Sequence, residues 1–292
     1  MKKLITLFAI LIALPSFAQD FQGKAFYKSK TTIDMSGWGG RNGQQMSEEQ
    51  KKRIAERMKN MFEKTYILTF NKSESIYKEE EKLDAPGQGR GWAMMGSLTG
   101  GAQYKNVKDQ AMLQEQEFFG KQFLIKDSLP KLEWVMGTET KQIGQYTAFM
   151  ATATKKVSET DWMNMRRRRN GDDEKKKDSV EQDSTNTKQI SEDIEIPKEI
   201  TVTAWYTPQI PINQGPGEYW GLPGLILEVQ SGRTTILCSK IVMNPEEKEE
   251  IKKPSKGEEV TQKEYEETVK KKMEEMREMY GGRRGRGDRI RG

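Results

Sequence analysis

Five side chains carry the strongest chemical signal in this chain: Trp205, Tyr206, Tyr219, Trp220 and Leu222, all within Ala204 to Val229, AWYTPQIPINQGPGEYWGLPGLILEV. Large rings set among turn-forming prolines and glycines must fold back on themselves and be buried or presented. Strand side chains alternate between faces, so of Trp205 and Tyr206 one ring is expected in the core and the other available. Two readings follow. The rings and Leu222 line a groove for an apolar or peptidic ligand, or the segment is a packing element whose Gly221, Pro223 and Gly224 set the register of Leu225, Leu227 and Val229 on one sheet face.

Other chemistry is constrained by what the chain lacks. With no histidine among 292 residues, Ser-His-Asp and Cys-His catalysis and histidine-ligated zinc are excluded. The single cysteine, Cys238, has no intrachain partner and sits in a strand-like run, where a packed thiol is expected. Glu228 lies beside the turn-rich segment on the face expected to oppose Leu227, but glycoside hydrolysis needs a second positioned carboxylate. Asp127 and Glu133 flank a strand-turn-strand unit and read equally well as solvent-facing acids. Met273, Met276 and Met279 resemble a thioether array for Cu(I), although the stripe also continues Tyr265 and Val269 as a core-facing helix would. Arg166 to Arg169 could meet phosphate or acidic lipid, yet Arg166 to Glu195 holds eight basic and nine acidic residues. Arg286-Gly287-Asp288 reads as chance within an arginine- and glycine-rich tail.

The elements that must position these groups follow from pattern. Lys2 and Lys3 precede the apolar run Leu4 to Leu14 and Pro15-Ser16-Phe17-Ala18, a signal peptide over residues 1–18 with cleavage after Ala18. The formal charge of +5 includes those two lysines and a tail from Arg283 to Gly292 of net +4. The remainder is near neutral, which gives nucleic acid no bulk attraction. Residues 19–245 read as one β-rich domain. Its strands are Gln22 to Ile33, Tyr66 to Asn71, Glu74 to Glu79, Tyr104 to Lys108, Met112 to Phe119, Gln122 to Lys126, Leu132 to Met136, Gln145 to Thr154, Ile200 to Tyr206, Gly224 to Gln230 and Thr234 to Val242. Connections this short predict antiparallel pairing. Met35 to Gln45 and Leu83 to Gly101 read as glycine-rich loops. Capping boxes at Ser47-Glu48-Glu49-Gln50 and Thr261-Gln262-Lys263-Glu264 predict two amphipathic helices, Ser47 to Lys64 and one ending near Tyr280. The charged insertion 158–197 and the Arg/Gly-rich tail cannot bury enough apolar surface to order, and 246–292 carries the second helix and that tail.

Gly221-Leu222-Pro223-Gly224-Leu225-Ile226, with the preceding AWYT strand, IP turn and GP pair, resembles the GLPGLI family of exported proteins of Bacteroidota. A weaker likeness runs through FLIKDSLPKLEW and ETKQIGQYTAFMATA, where Ala148 and Met150 replace the family's usual Cys and Lys. The resemblance implies a secreted, β-rich protein of uncharacterised activity, a curved antiparallel sheet such as a half-barrel, and association with TonB-dependent outer-membrane receptors. The expectation is therefore a mainly β (α+β) protein in the periplasm, at the outer membrane or secreted. It is read as a non-enzymatic binding or accessory protein without cofactor, metal ligands or mature transmembrane segment. A carboxylate-dependent hydrolase and a methionine-based copper-handling protein are the alternatives.

Overall fold

The computed structural model describes residues 21–32, 47–50, 52–53, 56, 62–80, 100–157 and 199–281. The signal peptide, both glycine-rich loops for nearly all their length, the charged insertion and the arginine tail lie outside the described residues. So does most of the first helix. Its capping box is formed, with Ser47 N donating to Gln50 Oε1 at 3.1 Å and Gln50 N to Ser47 Oγ at 3.3 Å.

The described residues hold twelve strands, several of them with alternating burial: β1 (Gln22–Thr31), β2 (Glu63–Asn71), β3 (Glu74–Glu79), β4 (Gln103–Asn106), β5 (Ala111–Phe118), β6 (Lys121–Ser128), β7 (Val135–Ile143), β8 (Tyr146–Lys156), β9 (Glu199–Thr207), β10 (Leu225–Ser231), β11 (Thr234–Met243) and β12 (Glu258–Val260). One helix, α1 (Gln262–Gly281), follows. The strands form a single open sheet in the order β12, β6, β5, β4, β3, β2, β1, β11, β10, β9, β8, β7. The mainly β class expected from the sequence is what the chain adopts. Short hairpins are held by side chains suited to them: Asn71 Oδ1 accepts from Ser73 N and Glu74 N, and Asn106 Oδ1 accepts from Lys108 N and Asp109 N. These Asx turns satisfy backbone donors where the ladder ends.

Three boundaries differ from the sequence reading. Glu63 and Lys64 belong to β2 rather than to the first helix. The strand expected over Leu132 to Met136 begins at Val135 and runs to Ile143, because Leu132 and Trp134 turn into the core and the strand itself is an exposed edge without apolar alternation. The sheet also does not end at β11. β12 adds to the far edge in parallel with β6, an arrangement that needs a long return connection.

That connection is a strap. Register partners share a face, and Lys24, Thr69, Ile76, Tyr104, Leu113 and Lys126 form one continuous row across β1 to β6. Residues 245–257 run along this row. Glu249 binds Lys24 at 2.6 Å and Lys78 at 3.6 Å and accepts from Thr69 Oγ1 at 3.4 Å, while its carbonyl accepts from Gln22 Nε2 at 2.5 Å. The Lys24 contact holds its carboxyl below the usual range. Four residues later Lys253 lies 5.3 Å from the Tyr104 ring centroid, a spacing that extended chain crossing two strands requires. Beyond β12, Thr261 and Glu264 complete the second capping box, and Tyr265, Val269 and Met273 pack on Phe118 and Phe123.

Gly257 permits the strap to dock. Its φ is +115°, and a Cβ there would sit 2.6 Å from the Phe123 carbonyl carbon. Gly257→Ala is expected to detach β12 from β6 and raise amide exchange of residues 123–125 by at least about tenfold. Hydrogen exchange read by mass spectrometry checks this, and unchanged protection would show that the pairing tolerates a side chain at that position.

Candidate functional site

Residues 208–224, between β9 and β10, form a lobe whose backbone largely satisfies itself. Gly221 N donates to Asn213 O at 3.1 Å, Tyr219 N to Pro216 O at 3.1 Å, and the first two amides of β10, Leu225 and Ile226, donate to Ile210 O and Gln214 O at 3.0 Å each. Gly224 passes against β9 so closely that a Cβ would stand 2.1 Å from Thr207 O. Nothing larger than glycine fits.

The lobe is gripped from strands far away in the sheet. Ser75 and Lys105 are neighbours in one register row, on the face opposite the strap. Ser75 Oγ donates to Gln214 Oε1 at 2.9 Å, and Lys105 Nζ donates to Gly215 O at 2.6 Å and Tyr219 O at 3.0 Å. β4 is five places from β10 in the sheet, so these contacts require strong curvature, with the lobe filling the space that a closing ladder would occupy. Lys105 is 1% exposed. Burial lowers its pKa to about 7, opposed by nearby Glu218, which itself pairs with Lys155.

The five residues singled out by sequence all lie beneath other atoms: Trp205 8%, Tyr206 7%, Tyr219 6%, Trp220 7% and Leu222 0% exposed. Trp205 and Tyr206 do enter different clusters, as strand geometry requires. Trp205 packs with Leu225, Leu227, Ile210 and Ile212, and Tyr206 with Tyr219, Leu222, Ile226 and Val229. The expectation that one ring stays available is not met, because both sides of this strand end are covered. Trp220 Nε1 donates to Pro130 O at 2.7 Å, and its own carbonyl accepts from Trp134 Nε1 at 2.8 Å. The expected common face of Leu225, Leu227 and Val229 is also corrected. A bulge between Ile226 and Glu228 inserts one residue, which sends Val229 to the cluster of Ile226.

The isolated ionisable groups have structural partners. Glu228 receives Lys141 Nζ at 2.7 Å on one oxygen and Gln230 Nε2 at 2.7 Å on the other, and Lys141 lies 4.2 Å from the Trp205 ring centroid. Cys238 is in the core, where burial pushes its thiol up to about 12, well away from thiolate chemistry. Met273 packs on the sheet but Met279 is 67% exposed. Steps of three lag a full helical turn, so a third methionine rotates off the face.

An open cleft of about 820 Å³ lies instead on the strap side. Half-buried Leu113 is the accessible apolar residue of its floor, with Tyr104 and Leu124 nearly buried beneath it, Asp109 and Lys126 stand on the sheet side, and Lys253, Pro254 and Glu259 close the strap side. Asp109 Oδ2 accepts from Asn106 at 2.8 Å, Lys126 faces Glu259 at 3.7 Å, and Asp127 Oδ2 accepts the Gln262 amide at 3.2 Å. Tyr104 donates a short hydrogen bond to Glu74. A second cavity of about 210 Å³ touches Ile143, Tyr146, Leu227 and Cys238. Sequence reasoning missed the cleft because its residues come from β4 to β6 and the strap, none marked by a motif.

A family model described as "Protein of unknown function (Porph_ging)" matches residues 134–228, which include the lobe. Two solved structures of PNGF-II, in the C2 and P21 space groups, align at TM-scores of 0.44 and 0.45 with 13% identity. The alignments cover 85% of this chain and 32% and 33% of those chains, so this chain spans about a third of their length. No curated protein matches.

Two outcomes are expected at the lobe. Gly224→Ala should destabilise the protein by about 2–4 kcal/mol, since the backbone it meets cannot yield, whereas Gly232→Ala, with open space around it, should cost only about 1 kcal/mol for its positive φ; urea denaturation compares them. Lys105 has a depressed folded pKa, so between about 7 and its ordinary value near 10.5 the unfolded chain holds a proton that the folded one has released. Stability from this group therefore rises with pH across that window. From pH 7 to pH 9 the wild type should gain on the order of 2 kcal/mol relative to Lys105→Met, and parallel pH profiles for the two would refute a titrating lysine.

Proposed function

We propose that this chain is a non-enzymatic binding or accessory protein of the bacterial cell envelope, with the cleft between the strap and β4 to β6 as its ligand site. The cleft carries the reading. Its volume falls within the range of about 300–1,000 Å³ typical of small-molecule sites, and an apolar floor with a few charged groups around it is the usual composition of such sites. The carboxylates around it hold backbone amides, an amide side chain or a lysine, which suits a scaffold for a bound molecule better than an acid and base poised for hydrolysis.

The envelope location rests on the leader-like N-terminus and on the resemblance to the GLPGLI family, whose hexapeptide falls inside the matched stretch 134–228. That resemblance extends the reading to an outer-membrane receptor as partner. The lobe is assigned a scaffolding role in it, since burial of Trp205, Tyr206, Tyr219, Trp220 and Leu222 leaves their surfaces to packing.

The full chain, expressed with its N-terminal leader and recovered from the periplasm, should carry a small molecule visible by native mass spectrometry. Leu113→Arg, which fills the floor of the cleft, should abolish it without unfolding the sheet. Recovery of bare protein, or equal retention by the variant, would sink the cleft as the site.

A further inference from the structure

We infer that the cleft takes an amphiphilic anion, its apolar body on the floor at Leu113 and its acid group on Lys253. This rests on the reading of the cleft as a ligand site and adds the chemical class of what enters it.

The charges around the cleft are not equivalent. Lys126 is answered by Glu259 at 3.7 Å. Asp127 is engaged on both oxygens, by the Ser128 amide at 2.7 Å and the Gln262 amide at 3.2 Å. Asp109 accepts from Asn106 at 2.8 Å. Lys253 alone of these cleft groups has neither a hydrogen bond nor an ion pair among the described residues. Its ammonium instead rests over the Tyr104 ring at 5.3 Å.

The backbone that carries Lys253 is also held in place before any ligand arrives. Pro254 beside it is buried, Glu249 anchors the strap four residues upstream on Lys24 and Lys78, and β12 fixes it downstream on β6. Tyr104 cannot swing away, because it is 1% exposed and its hydroxyl is bonded to Glu74. An exposed ammonium on an anchored stretch of backbone, with no counter-ion among the described residues, is suited to an acid group, since part of the ordering cost has been met by the fold. The lysine's butyl stem adds apolar wall beneath the charge. Glu249 is a positioning residue in this arrangement, as it touches the strap and not the ligand.

The test uses two probes on the full chain: 1-anilinonaphthalene-8-sulfonate and its uncharged parent, N-phenyl-1-naphthylamine. The wild type should bind the sulfonate about fivefold to tenfold more tightly than the parent. Lys253→Met should erase that preference while keeping the parent's affinity, and Lys253→Arg should retain it. Lys126→Met should leave the preference unchanged. Equal affinity of the wild type for both probes overturns the inference, as does a preference that survives in Lys253→Met. Leu113→Arg separates this from failure of the cleft itself. If it weakens both probes but no charge preference exists, the cleft stands and the anion is wrong. If it weakens neither, or if neither probe binds the wild type, the cleft reading falls and the inference with it.

Discussion

The arrangement depends on one buried amine. An open sheet of twelve strands has no ladder to close it, so something else must hold its two halves at a fixed curvature. Lys105, from the middle of one half, donates to two carbonyls of the lobe that joins β9 and β10 in the other. Ser75 adds a third contact in the same row. The amine is placed in a site poor for its charge, which is why burial draws its pKa towards neutrality. Its hydrogen bonds to carbonyls survive in either protonation state, since an amine and an ammonium both donate. The halves are joined by a polar clamp within an apolar surround, and a polar group buried there is costly unless matched.

Much of the sheet was legible from sequence. The β-branched and aromatic run of β1 and the Ser231-Gly232 turn are plain, whereas the turn built on Asn106 lies inside Tyr104 to Lys108, which the sequence reads as strand. Where legibility failed, the cause is physical. β7 is an edge and carries no alternation, so its pattern resembles loop. β12 is three residues long, and its stability comes from the glycine before it and the partner strand rather than from its own propensity. The bulge after Ile226 depends on how two sheet halves meet, which is a tertiary matter that local sequence does not encode.

The site was less legible than the fold. Rings and glycines in the lobe drew attention because they are unusual, and they are unusual because the lobe must turn sharply within a packed interior. Rarity there reports steric demand. Lys105 and Lys253 are ordinary residues in ordinary company, and only the register row that brings β4 beside β3, and the strap over Tyr104, give them meaning. Glu228 illustrates the same point in reverse: a conspicuous acid proves to be one corner of a Lys141, Gln230 and Trp205 cluster.

The central position of β1 has a kinetic consequence. This strand is the first in chain order among the described residues, yet it lies between β2 and β11, and its partners in β11 are more than two hundred residues distant, as Gly23 with Met243 shows. Until β11 arrives, β1 offers an unpaired edge flanked by apolar Ala25 and Tyr27. Folding must therefore wait for nearly the whole chain, and pairing of such high contact order is slow. Until that pairing is complete β1 keeps one edge unpaired, the condition in which a strand is most exposed to wrong partners.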